Sequence, residues 1–272
     1  MSNLDVFFDI DGCLINSSYD FTVSPQELSA TVKKYENIMR VHINSNRSLP
    51  SILNIWNKVG FAGLIVYENG QGVFDPVTNT DLNSSEKRIS KRELASKLLS
   101  ISDEVKFIST DKLIQNPADF SSQKSKSIFC EESRDYTATV YPRINLLGVP
   151  VIDWEFLNIT EKLLEEHYGR DYEVCSSKIY CNVMLTPNHA LKSNPMQKIA
   201  GNNLIASFGD ENPDIKMFEE STPGLIGCPA NASKKVQEFV SKKGGLVSKK
   251  EYTAGALDFL NYISKKISRE SL

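Results

Sequence analysis

Two short acidic runs are the residues of this 272-residue chain best suited to chemistry. Asp9-Ile10-Asp11-Gly12 closes the apolar stretch that begins at Leu4. Gly209-Asp210, with Asp214 four residues on, follows the apolar stretch Leu204–Phe208. Carboxylates at the end of a buried segment are costly unless they are paired or bound to a cation. A hard cation such as Mg²⁺ takes oxygen ligands, commonly a few carboxylates completed by water and phosphate. One Asp in a loop is ordinary, because Asp populates turns and helix N-caps. Two acidic clusters, each after an apolar strand, call for a charge-based role. The other chemistry-bearing types read as structural. His42, His167 and His189 lack metal-ligand spacing, and the five Cys contain no CxxC pair, so no zinc site or disulfide framework is expected. Cys13 reads as a small buried residue, and Trp56 and Trp154 as packing residues.

The elements that must position these groups alternate between strand and helix, which predicts βαβ units. Leu4–Ile10 reads as a buried central strand of a parallel sheet. Ser24-Pro25 opens a helix reaching about Tyr35, and Asn37–Ile43 is a second strand running into Asn44-Ser45-Asn46-Arg47. Ser48-Leu49-Pro50 starts a helix that ends near Gly60. Gly63–Tyr67 is a third strand, with a turn at Glu68-Asn69-Gly70. In open α/β sheets, ligands bind at the carboxyl ends of strands, where Asp9 and Asp11 fall.

The pattern breaks near Pro76. Residues 83–100 read as a polar helix. Residues 101–150 read as irregular, with Pro117, Pro142, Pro150 and a solvated Ser/Lys run at 121–127. Glu155–His167 is an amphipathic helix closing at Gly169, and Tyr172–Val174 and Ile179–Leu185 are two strands. After Pro187 the first pattern returns: a helix near 193–200, the strand Leu204–Phe208, a helix Asn231–Lys243 capped by Asn231, and a last helix over about 254–266. The expected fold is α/β: a doubly wound parallel-sheet core over 1–77 and 188–272, interrupted by a second domain over 78–187.

Composition removes several classes of function. Lys plus Arg number 31 and Asp plus Glu 34, a net charge of −3 that offers no basic field for nucleic acid or an anionic membrane. No apolar run approaches the ~18 residues of a membrane span. The N-terminus lacks the basic stretch and apolar core of a secretion signal. With the odd Cys count, a reducing, cytoplasmic setting is expected.

At this point four motifs carry a resemblance. Asp9-Ile10-Asp11-Gly12 after a strand resembles the first motif of the haloacid dehalogenase-like (HAD) phosphatases, and Ile43-Asn44-Ser45-Asn46-Arg47 the second. Lys192 before a helix resembles the third. Met196 and Ile199 follow it on one helical face, a frame that Lys198 lacks. Gly209-Asp210-Glu211-Asn212-Pro213-Asp214-Ile215-Lys216-Met217 resembles the fourth, with Pro213 where the family usually has Asn. The stretch Cys228-Pro229-Ala230-Asn231-Ala232 and the following helices fit the family's tail. Only 36 residues separate Asp9 from Ser45, whereas 147 separate Ser45 from Lys192. This spacing resembles the Cof-type and sucrose-phosphate phosphatase-like subfamily, whose large α/β cap lies between the second and third motifs.

The resemblance implies a Mg²⁺-dependent phosphatase acting on a small phosphorylated metabolite. Asp9 would be the nucleophile and Asp11 the acid and base. Ser45, Asn46 and Lys192 would hold phosphate. Asp9, Asp210 and the backbone carbonyl of Asp11 would hold the metal, with Asp214 supporting them from behind. The resemblance leaves two alternatives. Phosphomutases of the phosphomannomutase type share the cap position but carry a Gly-Gly pair that Glu211-Asn212-Pro213 lacks. A phosphate-binding relative without turnover is favoured by Pro213 alone.

Overall fold

The computed structural model describes residues 4–82, 88–109, 124–147, 149–177 and 181–270. In chain order its first elements are β1 (Leu4–Phe8), α1 (Pro25–Lys34), β2 (Met39–Asn44), α2 (Leu49–Val59), β3 (Ile65–Tyr67), β4 (Gly72–Asp75) and β5 (Thr80–Asp81). Then come α3 (Lys91–Leu98), β6 (Glu104–Ile108), β7 (Lys126–Glu131), β8 (Ala138–Leu146), β9 (Val149–Val151), α4 (Trp154–Tyr168), β10 (Tyr172–Ser177) and β11 (Asn182–Pro187). The chain closes with α5 (Met196–Ala200), β12 (Leu204–Phe208), a 3₁₀ turn (Asn212–Asp214), α6 (Ile215–Glu220), β13 (Ile226–Cys228), α7 (Lys234–Lys242), β14 (Leu246–Val247) and α8 (Tyr252–Glu270).

These elements form two compact units. One comprises Met1–Arg47, Ile52–Ser84 and Leu191–Leu272, and the other Ser48–Ser51 and Ser85–Ala190. The first unit is built on an eight-stranded sheet ordered β14-β13-β12-β1-β2-β3-β4-β5. Strands β14 through β3 run parallel, and β4 and β5 are an antiparallel extension. The central strand β1 pairs with β2 on one side and β12 on the other, and all five of its residues are buried. A strand covered on both faces reads as a continuous apolar run, which is why Leu4–Phe8 shows no alternation. Helix α1 starts as its residues dictate, with Pro25 in its first turn and the Ser24 hydroxyl accepting from the Glu27 N–H.

Asp5 is the exception within β1. It is fully buried, yet every oxygen is satisfied: Arg40 Nε and His42 Nε2 each lie 2.8 Å from Oδ1, and Asn203 Nδ2 lies 2.8 Å from Oδ2. The Leu64 N–H donates to His42 Nδ1 at 2.8 Å, so the neutral ring carries its proton on Nε2 and donates it to Asp5. His42, stacked on Phe7, is therefore a structural histidine, as its lack of ligand spacing suggested. Burial pushes the His42 imidazolium down from the ordinary 6.5, and hydrogen bonds hold Asp5 below the ordinary carboxylate range despite its burial. Both shifts have the same sign. Each group is depressed in the folded protein, so its contribution is present above the unfolded value and lost as pH falls toward the folded one. Stability should therefore decline as pH drops below 6.5. A His42→Gln variant, followed by thermal unfolding from pH 8 to 4, should lose the upper part of that decline. An unchanged pH profile in the variant would exclude His42 as its source.

The second unit differs most from expectation. The segment 101–150, expected to be irregular, contributes β6, β7, β8 and β9. With β10 and β11 they form a sheet ordered β10-β11-β8-β7-β6, with β9 beside β8. The strands were hidden because β6 and β7 mix polar and apolar residues without a clean alternation and Pro142 lies inside β8, where proline normally signals a break. Pro142 stands opposite Ile128 of β7, while on the other side of β8 the β11 ladder covers only Ala138–Val140 and stops short of it. The Ser/Lys run is partly strand: Lys126 and Ser127 open β7, while residues 121–123 lie outside the described residues. Ile128, Cys130, Val140, Val183 and Leu185 pack beneath Leu94 and Leu98 of α3 and Phe156 and Leu164 of α4.

Other expectations shift in detail. The polar helix over 83–100 is confined to Lys91–Leu98, capped by Ser90, and residues 83–87 lie outside the described residues. The strand over Ile179–Leu185 is Asn182–Pro187, its first residues falling outside the description. Trp154, expected to pack, is 49% exposed at the start of α4. The chain leaves the first unit after Ser84 and returns to it at Leu191, beyond the expected 77/78 and 187/188; the β4–β5 hairpin, which extends the first sheet, accounts for the first of these shifts. The five cysteines are free thiols, and among the described residues no helix is long and apolar enough to cross a membrane.

Candidate active site

The order β12-β1-β2 places three loops side by side at the carboxyl ends of parallel strands. Asp9 follows β1, Asp210 follows β12 and Ser45 follows β2. Backbone bonds continue the ladders into these loops: Asp9 N–H donates to Phe208 O, Gly209 N–H to Gly227 O and Ser45 N–H to Val66 O. A fourth group arrives from the segment before α5. Lys192 Nζ lies 2.8 Å from Asp9 Oδ1 and 2.8 Å from Asp214 Oδ1. Of the two competing lysines, Lys192 is buried in this cluster and Lys198 is exposed on α5. Met196 and Ile199 do share one face, packed against Phe7 and Ile205.

Asp214 holds the assembly from beneath. It is fully buried. Its Oδ1 accepts from Lys192, and its Oδ2 accepts from the backbone N–H groups of Asp210 and Glu211 at 2.9 and 3.0 Å. It thereby fixes both the lysine and the loop carrying Asp210. Pro213 sits exposed in the first turn of the 3₁₀ segment, where no N–H is required, so the loop tolerates it. Two glycines let the chains approach. A Cβ on Gly12 (φ +74°) would stand 2.0 Å from Asp210 Oδ2, and one on Gly209 would stand 2.4 Å from Asp214 Cβ.

The electrostatics follow from crowding acids around one cation. Burial works against the Lys192 ammonium, but Asp214 and Asp9 outweigh it and hold the group above the ordinary lysine range. Burial pushes the Asp9 carboxyl up. Lys192 opposes that shift, while the charges of Asp214 and Asp11 add to it. Burial likewise raises Asp210, reinforced by repulsion from Asp9 and Asp214. The cluster is short of positive charge. Ligand atoms of Asp9, Cys13 and Asp210 lie within 4.8 Å of one another. Burial drives the Cys13 thiol well above its ordinary range, and it lies 3.5 Å from Asp210 Oδ1 as a weak donor. The remaining donors are hard carboxylate oxygens, a set that fits a divalent hard cation such as Mg²⁺.

Ser45 is buried, and its hydroxyl accepts from the Arg47 N–H at 3.3 Å. Asn46, next to it, is half-buried. Asp11 does not join the buried cluster. Its side chain is 44% exposed and engages Arg47 through both oxygens, Nε to Oδ2 at 2.8 Å and Nη2 to Oδ1 at 2.7 Å. This partnership was not legible in the sequence, although an Arg two residues after the Ser45 position is a usable signal. Two asparagines were missed in the same way. Asn44 Nδ2 donates to the Lys192 carbonyl at 2.7 Å, tying the β2 end to the lysine. Asn231, expected as a helix N-cap, is not one, since α7 begins after Ser233. Its Nδ2 instead donates to the Gly12 carbonyl at 2.8 Å, and its Oδ1 accepts from the Tyr252 N–H at 2.9 Å. The asparagine serves the long-range contact because that contact satisfies both ends of its amide.

Comparison with known proteins follows this geometry. The profile of a family described as haloacid dehalogenase-like hydrolase matches residues 6–260. No curated protein matches the chain. Among solved structures, a haloacid dehalogenase-like hydrolase from Bacteroides thetaiotaomicron aligns with a TM-score of 0.68 at 17% identity, covering 97% of this chain and 100% of its own. A Thermoplasma acidophilum protein aligns with a TM-score of 0.65 at 18% identity, covering 97% and 99%. The sucrose-phosphatase of Synechocystis sp. PCC6803, solved with sucrose and phosphate, aligns with a TM-score of 0.55 at 15% identity, covering 97% and 99%. At these identities the likeness is one of fold.

Proposed function

The chain belongs to the haloacid dehalogenase-like hydrolases, and from that premise we propose that it is a Mg²⁺-dependent phosphatase of a small phosphate monoester, with a sugar phosphate or related metabolite as substrate. The observation that carries this reading is the buried Asp9–Lys192–Asp214 ion-pair chain at the ends of β1 and β12, with Asp210 beside it.

Asp9 attacks phosphorus, and the bond from phosphorus to the leaving oxygen breaks as Asp11 gives that oxygen its proton. The product is an aspartyl-phosphate on Asp9. Asp11, now a carboxylate, takes a proton from water as the water oxygen attacks phosphorus. The bond to Asp9 breaks, phosphate departs, and both carboxyl groups are restored. Lys192, the Ser45 hydroxyl and the Asn46 backbone amide hold the non-bridging oxygens, and Asp214 keeps Lys192 aimed. Asp9, Asp210 and the Asp11 carbonyl would hold Mg²⁺, which when bound offsets the repulsion between carboxylate and phosphate. These groups touch only the phosphoryl part that every substrate shares, so the choice of leaving group falls to the inserted unit.

Hydrolysis of p-nitrophenyl phosphate with Mg²⁺, followed by a panel of sugar phosphates, tests the reading. It fails if none is cleaved. Chelation should abolish turnover and Mg²⁺ should restore it, whereas Zn²⁺ should not, because the groups proposed to hold the metal are carboxylate and carbonyl oxygens. Restoration by Zn²⁺ alone would overturn the assignment of the metal.

A further inference from the structure

Arg47 has no part in the reaction as set out above, yet its side chain is joined to Asp11 by a two-bond contact in the loops around the cluster. Its guanidinium presents two parallel N–H bonds to the two oxygens of Asp11, at 2.8 and 2.7 Å. Such a fork fixes both the position and the plane of a carboxylate, which a single ammonium cannot do. Arg47 is itself held on several sides. Its N–H donates to Ser45 Oγ, its carbonyl accepts from the Glu68 N–H at 3.1 Å, and its side chain is only 14% exposed. The ring of Tyr19 lies 5.1 Å from the guanidinium carbon. Tyr19 is fixed in turn by a tight loop in which Asn16 Oδ1 accepts from the Ser18 and Asp20 N–H groups, while the Asn16 carbonyl accepts from the Tyr19 N–H. Tyr19 takes a φ of +63° there.

We propose that Arg47, backed by Tyr19, is a positioning residue that orients the Asp11 carboxylate for the hydrolysis of the phosphoenzyme. The proposal rests on the phosphatase reading and deepens it. The two half-reactions place different demands on Asp11. To give a proton to the leaving oxygen, Asp11 must carry that proton on one oxygen, which is then a poorer acceptor for Arg47. To take a proton from water, Asp11 must be a carboxylate, the form both of whose oxygens can accept at once. The observed fork matches the second demand. One oxygen lone pair stays free for the water proton while the guanidinium holds the plane. A lone pair of the water oxygen forms the new bond to phosphorus, the bond from phosphorus to Asp9 breaks with its electron pair returning to the Asp9 carboxylate, and the water proton passes to Asp11.

The test uses the full chain with Mg²⁺ and p-nitrophenyl phosphate. This aryl leaving group departs without protonation, so formation of the phosphoenzyme makes little demand on Asp11. Acid quench measures the phosphoenzyme, and release of p-nitrophenol measures its formation. In Arg47→Met, breakdown should slow by about 10²-fold, the lower range of acid–base contributions, and phosphoenzyme should accumulate. Arg47→Lys, which keeps the charge but not the fork, should accumulate less, and it decides the matter if the methionine variant does not fold. Added guanidinium should speed breakdown in Arg47→Met. In an Asp11→Asn background, Arg47→Met should have no further effect on breakdown. Equal slowing of formation and breakdown, without accumulation, would overturn the proposal and place Arg47 in phosphate binding or folding. So would unchanged kinetics. A wild-type chain that releases p-nitrophenol in no Mg²⁺-dependent reaction would instead overturn the phosphatase reading, and this inference with it.

Discussion

An Asp9→Asn variant is expected to lose turnover by about 10⁴-fold or more, the scale on which deleting a member of a catalytic unit acts. The amide is isosteric with the carboxylate but cannot form the acyl phosphate, so no phosphoenzyme should be trapped. The fold should survive, because Asp9 lies at the end of β1 and not within the apolar packing of Phe7, Phe8 and Phe208. Stability carries a sign that separates this outcome from damage. The Asp9 carboxyl is held above its ordinary 3.8 in the metal-free protein. A group raised in the folded state contributes stability at low pH and loses it as pH rises through the raised value. Ionised Asp9 is thus a net burden on the metal-free fold at alkaline pH. Without metal, the variant should melt no lower than the parent above pH 8. Activity near that of the parent would remove Asp9 from its role. A markedly lower melting temperature at that pH would show that the charge balance has been misjudged.

Lys192→Met should produce the largest loss of stability of any single change in the site. The ammonium is the shared partner of Asp9 and Asp214, and all three are buried. Removing one partner of a buried ion pair costs about 3–5 kcal/mol, because a charge is left in low dielectric without compensation. Asp214 keeps its two backbone donors, so most of the loss should fall on Asp9. The expected result in urea is a lower midpoint with an unchanged m-value, together with loss of turnover. Adding Asp9→Asn to Lys192→Met should restore part of the stability, since the orphaned charge is then gone. Residues in direct contact couple by about 0.5–3 kcal/mol in such cycles. Strict additivity would mean that the Asp9–Lys192 pair contributes nothing net.

The core sheet and the inserted unit differ in how far sequence alone reveals them. Continuous apolar runs reveal β1 and β12, because a strand buried on both faces leaves no room for alternation. The acidic residues that close those runs follow from the same fact, since a chain leaving a buried sheet edge is where charge can be placed usefully. The inserted unit was far less legible. Its strands β6, β7 and β8 mix polar with apolar residues, and Pro142 within β8 imitates a break. The β11 ladder ends at Val140, short of that proline, and a ladder's end is not written in either strand.

By itself the sequence determined the alternation of strand and helix, the insertion between Ser45 and Lys192, and the identity of the acidic groups. Each of these rests on local patterns, in burial period, turn chemistry and spacing. Tertiary structure alone decided the partners. Asp5 inside β1 is tolerable only because Arg40, His42 and Asn203 converge on it from two other segments. Asn231 looks like a helix cap until Gly12 and Tyr252 are seen to use both ends of its amide. Asp11 and Arg47, 36 residues apart, meet because β1 and β2 are adjacent and parallel, which brings their carboxyl-end loops together. A hydrogen bond or ion pair depends on angstrom-scale distance between side chains, whereas sequence spacing constrains distance only within one helix or strand.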